Sequence, residues 1–187
     1  MTTDSTTDFT IPTLETDRLI LRAPHDNDFT AYAEFCASPR SAGVGGPYDH
    51  DASVVRFATL TAHWQDHGFG RWMLVEKTSN LPMGVVGLYH PDDWPEAEIA
   101  WSLFETAEGK GYAYEAAVAA RAYAYDVLGW TTAISLVMAN NPRSAALATR
   151  MGATQESIFD HPDLGAMPLW RHLSPDQVAN TSSEVYA

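Results

Sequence analysis

The stretch Ala97–Ala117, AEIAWSLFETAEGKGYAYEAA, joins a predicted strand, a glycine loop and the start of a helix. β-Branched and aromatic residues around Glu98 indicate the strand, and a run of alanines indicates the helix. The loop contains Gly109, Lys110 and Gly111, and its small residues leave the amide N–H groups open to a ligand. The helix directs its unpaired N–H groups and its positive dipole end toward the same loop. The stretch therefore predicts an anion site, most often one for a phosphate.

The composition fits one folded domain with a sizeable core. The chain has 187 residues, of which 45% are hydrophobic and 19% are charged. Its formal net charge of −13 argues against nucleic acid and anionic membranes as partners. No apolar run approaches the ~18 residues of a membrane span, and the polar, acidic N-terminus does not resemble a signal peptide. The single cysteine, Cys36, suits a reducing compartment, so we expect a cytoplasmic protein.

Hydrophobic periodicity predicts strands and helices in the order βααβββαβαββ. The strands are expected at residues 14–23, 71–77, 83–90, 97–105, 131–138, 154–159 and 167–173, and the helices at 28–37, 52–67, 114–128 and 142–151. The helix after the glycine loop makes a crossover, which predicts parallel pairing of the fourth and fifth strands. Hairpins predict antiparallel pairing elsewhere. We therefore expect a mixed sheet in one domain, residues 10–175, between tails at 1–9 and 176–187.

Three kinds of phosphate-binding loop combine a strand, a glycine loop and a helix. The P-loop requires a Gly-Lys-Ser/Thr string that the chain lacks, and the dinucleotide fingerprint requires a third glycine where Tyr114 stands. The segment Glu108–Ala113, EGKGYA, resembles instead the Arg/Gln-x-x-Gly-x-Gly/Ala loop of the Gcn5-related N-acetyltransferases, or GNAT family. The resemblance is partial, because Glu108 stands where the family has arginine or glutamine.

Four separated stretches resemble the RimJ/RimL branch of this family, which acetylates the N-termini of ribosomal proteins. They are LETDRLILRAPHDNDF (Leu14–Phe29), the stretch Ala97–Ala117, NNPRSAALATRMGATQE (Asn140–Glu156) and MPLWRHL (Met167–Leu173). The resemblance implies the GNAT fold, an α+β arrangement with a mixed, mostly antiparallel sheet of six to seven strands and about four flanking helices. It also implies that the fourth and fifth strands splay apart and that acyl-CoA lies in the wedge between them.

The resemblance further implies which residues hold acetyl-CoA as the acyl donor. The pyrophosphate is expected on the loop and helix start, at Gly109, Lys110, Gly111, Tyr112, Ala113 and Tyr114. The pantetheine can pair like a strand with the exposed edge of the fourth strand, at Ser102, Leu103 and Phe104. The opposite wall is expected to contribute Asn141, Arg143 and Ser144. No metal is expected.

Two residues are candidates for the chemistry of acetyl transfer to an amine. Glu98 is the candidate base, since a partly buried carboxylate has a raised pKa and the resembling family often has glutamate here. The alternative is a glutamate at a strand start that pairs with an arginine. Ser144 matches the family's serine after the fifth strand and could donate a hydrogen bond or a proton to the leaving thiolate. The alternative for Ser144, as for Asn141, is helix capping.

Loops are expected to frame the acceptor, because specificity resides in loops more often than in the scaffold. Their aromatic candidates for substrate binding are Tyr48, Trp72, Tyr89 and Trp94. The same loops carry the acidic residues Asp49, Asp51, Asp92 and Asp93. Acidic groups beside aromatic rings favour a cationic amine, through charge and through cation–π contact. A peptide N-terminus, a polyamine-like compound and an aminoglycoside all fit this description.

Two functions from different classes follow from these features. The leading hypothesis is an acetyl-CoA-dependent N-acetyltransferase, monomeric or homodimeric, in which a primary amine attacks the thioester directly within a ternary complex. Its rival is a non-catalytic acyl-CoA-binding sensor on the same fold. Glu98 together with Ser144 favours the enzyme, whereas the departures from the family at Glu108 and Ala100 leave the sensor open.

Overall fold

One mixed sheet of eight strands runs through the protein. The computed structural model describes residues 10–184, so the predicted tail at 1–9 lies outside the described residues. The strands are β1 (Leu14–Glu15), β2 (Leu19–Arg22), β3 (Arg71–Glu76), β4 (Pro82–Tyr89), β5 (Glu98–Leu103), β6 (Ile134–Leu136), β7 (Thr154–His161) and β8 (Gly165–Arg171). The helices are α1 (Phe29–Ala37), α2 (His50–His67), α3 (Tyr112–Asp126), α4 (Pro142–Arg150) and α5 (Pro175–Glu184). Among these helices, none combines the length and the apolar character needed to cross a membrane.

The strand order is β1-β2-β3-β4-β5-β6-β8-β7. Within the described residues, β5 and β6 pair in parallel and every other neighbouring pair is antiparallel. The parallel pair follows from α3, which carries the chain from the end of β5 back to the start of β6. The predicted mixed, mostly antiparallel sheet is therefore confirmed.

β5 and β6 touch at one end only and then separate. Their ladder contains a single register pair, Glu98 opposite Ile134, and the Ile134 N–H donates to the Ala97 carbonyl at 3.2 Å. The predicted fourth and fifth strands correspond to β5 and β6, so the expected splay is confirmed. The predicted fifth strand is too long, because beyond Leu136 the chain has no β5 neighbour to complete its ladder.

Several further boundaries differ from the prediction, and three of the differences have a clear local cause. The first predicted strand is two strands, since the Thr16 hydroxyl accepts the Leu19 N–H at 3.1 Å and turns the chain into a β1–β2 hairpin. α3 begins at Tyr112, two residues early, because Gly111 adopts the left-handed backbone of φ 78° and caps it. The C-terminal segment forms α5 instead of a tail without core contacts, since Ser174 and Gln177 bond reciprocally across its first turn and Val178 packs on the core.

Two hydrophobic clusters cover the two faces of the sheet. The larger one lies under α3, whose alanines let the helix approach β4 and β5 closely; it includes Leu21, Trp72, Val86, Leu88, Ile99, Ala116, Ala117, Ala120 and Ala124. The smaller one lies under α1 and α2 and includes Tyr32, Phe35, Leu60, Met73, Val75 and Val85. Adjacent residues on β3 and β4 fall in opposite clusters, as the two-residue period of a strand requires. The close fit of α3 brings its N-terminus beside the end of β5.

β3 and β4 approach so closely at Gly87 that a side chain would collide with the neighbouring backbone. A Cβ at Gly87 would lie 2.5 Å from the Gly70 carbonyl oxygen, and the residue has φ +154°. Gly68 also has a positive φ, +74°, but a Cβ there would meet nothing within 4 Å. Gly87 is therefore constrained by packing, whereas Gly68 is constrained by its backbone angle alone.

Gly87→Ala should lower the free energy of unfolding by at least ~2 kcal/mol more than Gly68→Ala, because only Gly87→Ala forces backbones apart. Gly68→Ala should cost only about 1 kcal/mol, the cost of a left-handed alanine. Urea unfolding of both variants measures the difference. Equal losses would show that the contact at Gly70 relaxes freely.

Candidate active site

A cavity of about 1110 Å³ fills the wedge between β5 and β6. Its walls come from β5, the glycine loop and start of α3, the segment after β6, α4, and the loop before α2. Most of the predicted site residues line it, namely Tyr48, Tyr89, Trp94, Glu98, Ser102, Leu103, Gly109, Gly111, Tyr112, Ala113, Tyr114, Asn141, Arg143 and Ser144. The folded chain therefore brings these separate segments together around one space.

Two side chains replace the backbone hydrogen bond that the splay removes. In a continuous parallel ladder the Leu136 N–H would donate to the Ile99 carbonyl, given that Glu98 pairs with Ile134. Instead the Leu136 N–H donates to Oε2 of Glu98 at 2.9 Å, and the Ser135 hydroxyl donates to the Ile99 carbonyl at 2.6 Å. Both backbone groups are thus satisfied although the strands have separated.

Glu98 is buried at the narrow end of the wedge, with 6% of its surface exposed. Burial raises the pKa of its carboxyl to about 7, against the lowering effects of the Leu136 N–H, the Trp94 indole and the charge of Arg71. A carboxyl with a pKa near neutrality can both accept and release a proton at physiological pH. The carboxyl is therefore fixed in position and suited to proton transfer.

Ser135 is held in turn by a buried histidine on the other side of β6. Because its hydroxyl proton goes to Ile99, its oxygen accepts from Nε2–H of His172 at 2.9 Å. Burial, with Arg121 and Arg171 nearby, lowers the pKa of His172 to about 3, so the imidazole is neutral at ordinary pH. Sequence reasoning missed both residues, although a serine inside an otherwise apolar strand was a usable signal.

Ser144 lies across the wedge from β5, in the first turn of α4. Its N–H donates to Oδ1 of Asn141 at 3.1 Å, which is the N-cap interaction considered from the sequence. Its Oγ accepts the indole N–H of Trp101 at 3.1 Å, so the hydroxyl proton remains available to another acceptor. Asn141 therefore caps the helix, and Ser144 offers a donor to the cavity. The contact with Trp101 was not foreseen.

The glycine loop turns sharply into α3. Gly109 and Gly111 have φ of 72° and 78°, and the carbonyl of Lys110 accepts from Arg18 at 2.8 Å. The Lys110 ammonium lies 3.9 Å from a carboxylate oxygen of Glu76 and does not line the cavity. The loop thus offers its backbone and the helix N-terminus to an anion, while the predicted lysine side chain points elsewhere.

Glu108, the departure from the family pattern, joins two walls of the cavity. Its carboxylate forms ion pairs with Arg40, from the loop before α2, and with Arg143 of α4 at 2.6 Å. Bonds to these arginines hold its pKa below the usual value, with Arg40 the stronger cause. The acidic side chain therefore places two guanidinium groups beside the glycine loop.

Two predicted ligand-binding residues lie in the hydrophobic core. Trp72 is fully buried, packs against Trp64, and donates its indole N–H to the Pro12 carbonyl at 2.7 Å. Phe104 follows the end of β5, and its ring packs 5.7 Å from that of Phe35. Neither residue lines the cavity, because strand alternation at Trp72 and the turn after β5 direct the rings inward.

Two arginines lie at the end of the cavity where the acceptor is expected. Arg56 lies 4.1 Å from the ring centre of Tyr48, and Arg71 lies 4.2 Å from that of Tyr89. Of the acidic residues expected there, Asp93 lines the cavity, whereas Asp49 accepts the Ala52 N–H as the cap of α2. Asp51 and Asp92 also lie outside the lining. The stacking of arginines on Tyr48 and Tyr89 was not expected, and the preference for a cationic amine stays a prediction.

Comparison with known proteins identifies the family. Residues 18–154, well over half of the chain, match the family model described as acetyltransferase (GNAT) domain. The chain belongs to the GNAT family. YoaA of Bacillus subtilis, described as an uncharacterized N-acetyltransferase, is 26% identical over 152 residues, which are 79% of this chain and 86% of YoaA.

Solved structures of GNAT proteins have the same architecture. An acetyltransferase from Agrobacterium tumefaciens is 41% identical, with a TM-score of 0.81 over 88% of this chain and 96% of that one. Spermidine N-acetyltransferase from Vibrio cholerae, solved with CoA and spermine, shares the fold at 17% identity, with a TM-score of 0.70 over 88% and 100% of the two chains. The predictions of a GNAT fold and of an N-acetyltransferase are confirmed.

Glu98→Gln should remove a pH dependence of stability. The folded-state pKa of about 7 exceeds the ordinary glutamate value of 4.5, so the stability contributed by the protonated carboxyl is fully present below about 4.5 and lost as the pH rises through about 7. A glutamine keeps an oxygen for the Leu136 N–H and has no proton to lose. Relative to wild type, the variant should therefore gain stability between pH 5 and pH 8.

Urea unfolding at the two pH values measures this gain, with Glu105→Gln, at an exposed position, as the matched control. The control should follow wild type. A Glu98→Gln variant that also follows wild type would show that the buried carboxyl does not titrate in this range.

Proposed function

We propose that this GNAT enzyme transfers the acetyl group of acetyl-CoA to a primary amine by direct attack within a ternary complex. One observation carries the proposal: Glu98 and Ser144 line the same cavity from the two sides of the β5–β6 splay. A proton acceptor and a proton donor are the two groups that aminolysis of a thioester requires. Use of acetyl-CoA by the GNAT family supports the choice of donor.

The donor end of the cavity suits the phosphates and pantetheine of acetyl-CoA. The N-terminus of α3 and the backbone of the glycine loop offer N–H groups and a positive dipole end. Arg143 and Arg150 line the cavity there, and Arg150 lies 4.3 Å from the ring centre of Tyr114. Past Glu98 the edge of β5 has no β6 partner, so the pantetheine amides have backbone groups to pair with.

The proposed reaction involves one proton transfer at each side of the wedge. An alkylammonium has a pKa of about 10.4 and must lose a proton before its nitrogen can attack. Glu98 accepts that proton, directly or through water, and the amine nitrogen forms its bond to the thioester carbonyl carbon. The carbon–sulfur bond then breaks as the nitrogen loses its second proton, and that proton passes to the departing sulfur, to which Ser144 donates a hydrogen bond or relays the proton. Acetyl-CoA supplies the activated acyl group, and positioning supplies much of the rate.

The four ordered stretches favour the RimJ/RimL branch, so an α-amine, in a protein N-terminus or in a small molecule, is our proposed acceptor. Cationic small molecules fit less well, because Arg56 and Arg71 already cover the ring faces of Tyr48 and Tyr89. Turnover also tests the sensor hypothesis, which would use the same cavity. Calorimetry with acetyl-CoA, followed by release of free thiol against a panel of amines, tests both. Absence of CoA binding would refute the donor assignment, and binding without turnover would favour the sensor.

Glu98→Gln should lower kcat/KM by about 10²–10⁴, the range for a positioned general base, and leave the Kd of acetyl-CoA unchanged. In the wild type, kcat/KM should rise with pH to a plateau above the pKa of about 7, and the variant should lose that inflection. Thiol release between pH 5.5 and 9 measures both effects. An unchanged profile would remove Glu98 as the base.

Ser144→Ala should lower kcat about tenfold, the effect of losing one hydrogen bond to a developing charge. With the variant, a thioester whose leaving thiol is more acidic should react at nearly the wild-type rate. A less nucleophilic amine should not restore the rate. Comparison of the two donors in the thiol-release assay distinguishes a role at sulfur from a role in capping α4. A loss independent of the leaving group would support capping.

Glu108→Gln should tighten CoA binding about fivefold, because it releases Arg40 and Arg143 from an internal carboxylate beside the phosphate site. Calorimetry at two salt concentrations should show a steeper salt dependence than in wild type. Glu105→Gln removes a neighbouring exposed charge and serves as the control. Weaker binding in Glu108→Gln would mean that the ion pairs hold the arginines in their binding positions.

A further inference from the structure

The cavity collects arginines although the chain is strongly acidic. Of nine arginines in a chain with a formal net charge of −13, five line this cavity: Arg40, Arg56, Arg71, Arg143 and Arg150. The phosphate site accounts for three of them, Arg40 and Arg143 through Glu108 and Arg150 beside Tyr114. Arg56 and Arg71 lie at the acceptor end, and the phosphate site does not explain their presence in the cavity.

Neither of these two guanidinium groups has an anionic partner. Within the described part of the chain, Arg56 and Arg71 make no ion pair and no side-chain hydrogen bond, and Nε of Arg56 is buried without an acceptor. Each group stacks on a tyrosine, Arg56 on Tyr48 and Arg71 on Tyr89. Stacking occupies the flat face of a guanidinium and leaves its N–H edge for a ligand.

Strand register places Arg71 on the same face of the sheet as the base. Tyr89 lies directly opposite Glu98 on β5, and Arg71 lies opposite Gly87, two residues before Tyr89. Side chains two residues apart on a strand point to the same face, so Arg71, Tyr89 and Glu98 share one face at one end of the sheet. Arg71 is also close enough to lower the pKa of Glu98. An amine that reaches Glu98 therefore lies near this guanidinium.

Three of the four carboxylates that line the cavity are occupied elsewhere. Nδ1 of His161 accepts the N–H groups of Asp163 and Leu164 at 3.1 Å each, so its Nε2–H donates to Asp93 at 2.9 Å. Glu108 is bound to its two arginines, and Glu98 is needed for the proton of the amine. The remaining carboxylate, Asp163, is exposed at the rim. The positive charge at the acceptor end is therefore left for the substrate to balance.

We propose that the acceptor is an amine that also carries a carboxylate, bound by Arg56 and Arg71 while its amino group faces Glu98. This inference rests on the proposed N-acetyl transfer. The planar fork of arginine matches a carboxylate with paired N–H···O bonds, which are stronger than neutral hydrogen bonds. A polycation meets two like charges and covered ring faces at the same place, so the site selects against it. The substrate class is amino-acid-like and zwitterionic.

Matched acceptors test the proposal on the intact enzyme with acetyl-CoA. Each set contains an α-amino acid, its carboxamide, its decarboxylated amine and the aminophosphonate of the same side chain. The amino acid should have a kcat/KM at least about tenfold above the carboxamide and the amine. A polyamine should be a poorer substrate than the amino acid. Preference for the aminophosphonate would overturn the carboxylate assignment in favour of a phosphate-bearing acceptor.

Arg56→Gln should abolish this preference through the acceptor KM, with about a tenfold rise for the amino acid and little change for the amine. The KM of acetyl-CoA should stay constant. Arg71→Gln should do the same and also move the pH inflection of kcat/KM upward, because Arg71 lowers the pKa of Glu98. Arg56→Lys keeps the charge without the fork and should recover part of the preference. Lys77→Gln, outside the cavity, is the charge control and should behave as wild type.

Two failures are distinguishable. Acetylation of amines without preference for the carboxylate, or a preference that survives in both Arg56→Gln and Arg71→Gln, would overturn the inference and leave N-acetyl transfer standing. Absence of turnover with every amine, carboxylated or not, would overturn the proposed function and the inference with it. If Arg56→Gln fails to fold, Arg56→Lys and Arg71→Gln carry the same comparison.

Discussion

The separation of β5 from β6 is the constraint on which the rest of the structure depends. Opening a parallel ladder exposes a backbone donor and a backbone acceptor inside the protein, and each must find another partner. Here the partners are Glu98 and Ser135, so the backbone donor and the backbone acceptor at the apex of the wedge are both satisfied. The same contact that stabilises the wedge also orients the carboxyl that the proposed reaction uses. Glu98 therefore both stabilises the open wedge and takes part in the proposed reaction.

Charge is distributed unevenly over this acidic chain, and the cavity is where the positive side chains concentrate. At the donor end an internal carboxylate, Glu108, lies between Arg40 and Arg143, where the family has a basic or amide residue. At the end where we propose that the acceptor binds, the rings of Tyr48 and Tyr89 stack on Arg56 and Arg71, which have no carboxylate partner among the described residues. A bound anion would therefore compete with Glu108 for arginines at the first end, whereas Arg56 and Arg71 have no such competitor at the second.

Local pattern predicted the parts of the site that are local. The glycine loop, the crossover helix and the cap at Asn141 each lie within a short stretch, and the structure has them where the sequence indicated. Trp72 and Arg71 are adjacent in the chain, yet one enters the core and the other the cavity, which depends on the face that the sheet buries. The pairing of Arg71 with Tyr89 depends on the register of two neighbouring strands, which no single stretch encodes. Helix α5 was not predicted, although the sequence contains the serine and the glutamine that cap it, Ser174 and Gln177.

The two groups that hold the apex of the wedge respond very differently to acid. His172, which supports Ser135, has its pKa lowered to about 3 by burial, whereas Glu98 has its pKa raised to about 7. A protonated Glu98 still offers an oxygen to the Leu136 N–H, so both bonds at the apex can survive mild acidification. Loss of the base and loss of the scaffold are thus separated by several pH units. A fall in pH would therefore inactivate such a site reversibly, without a change in its shape.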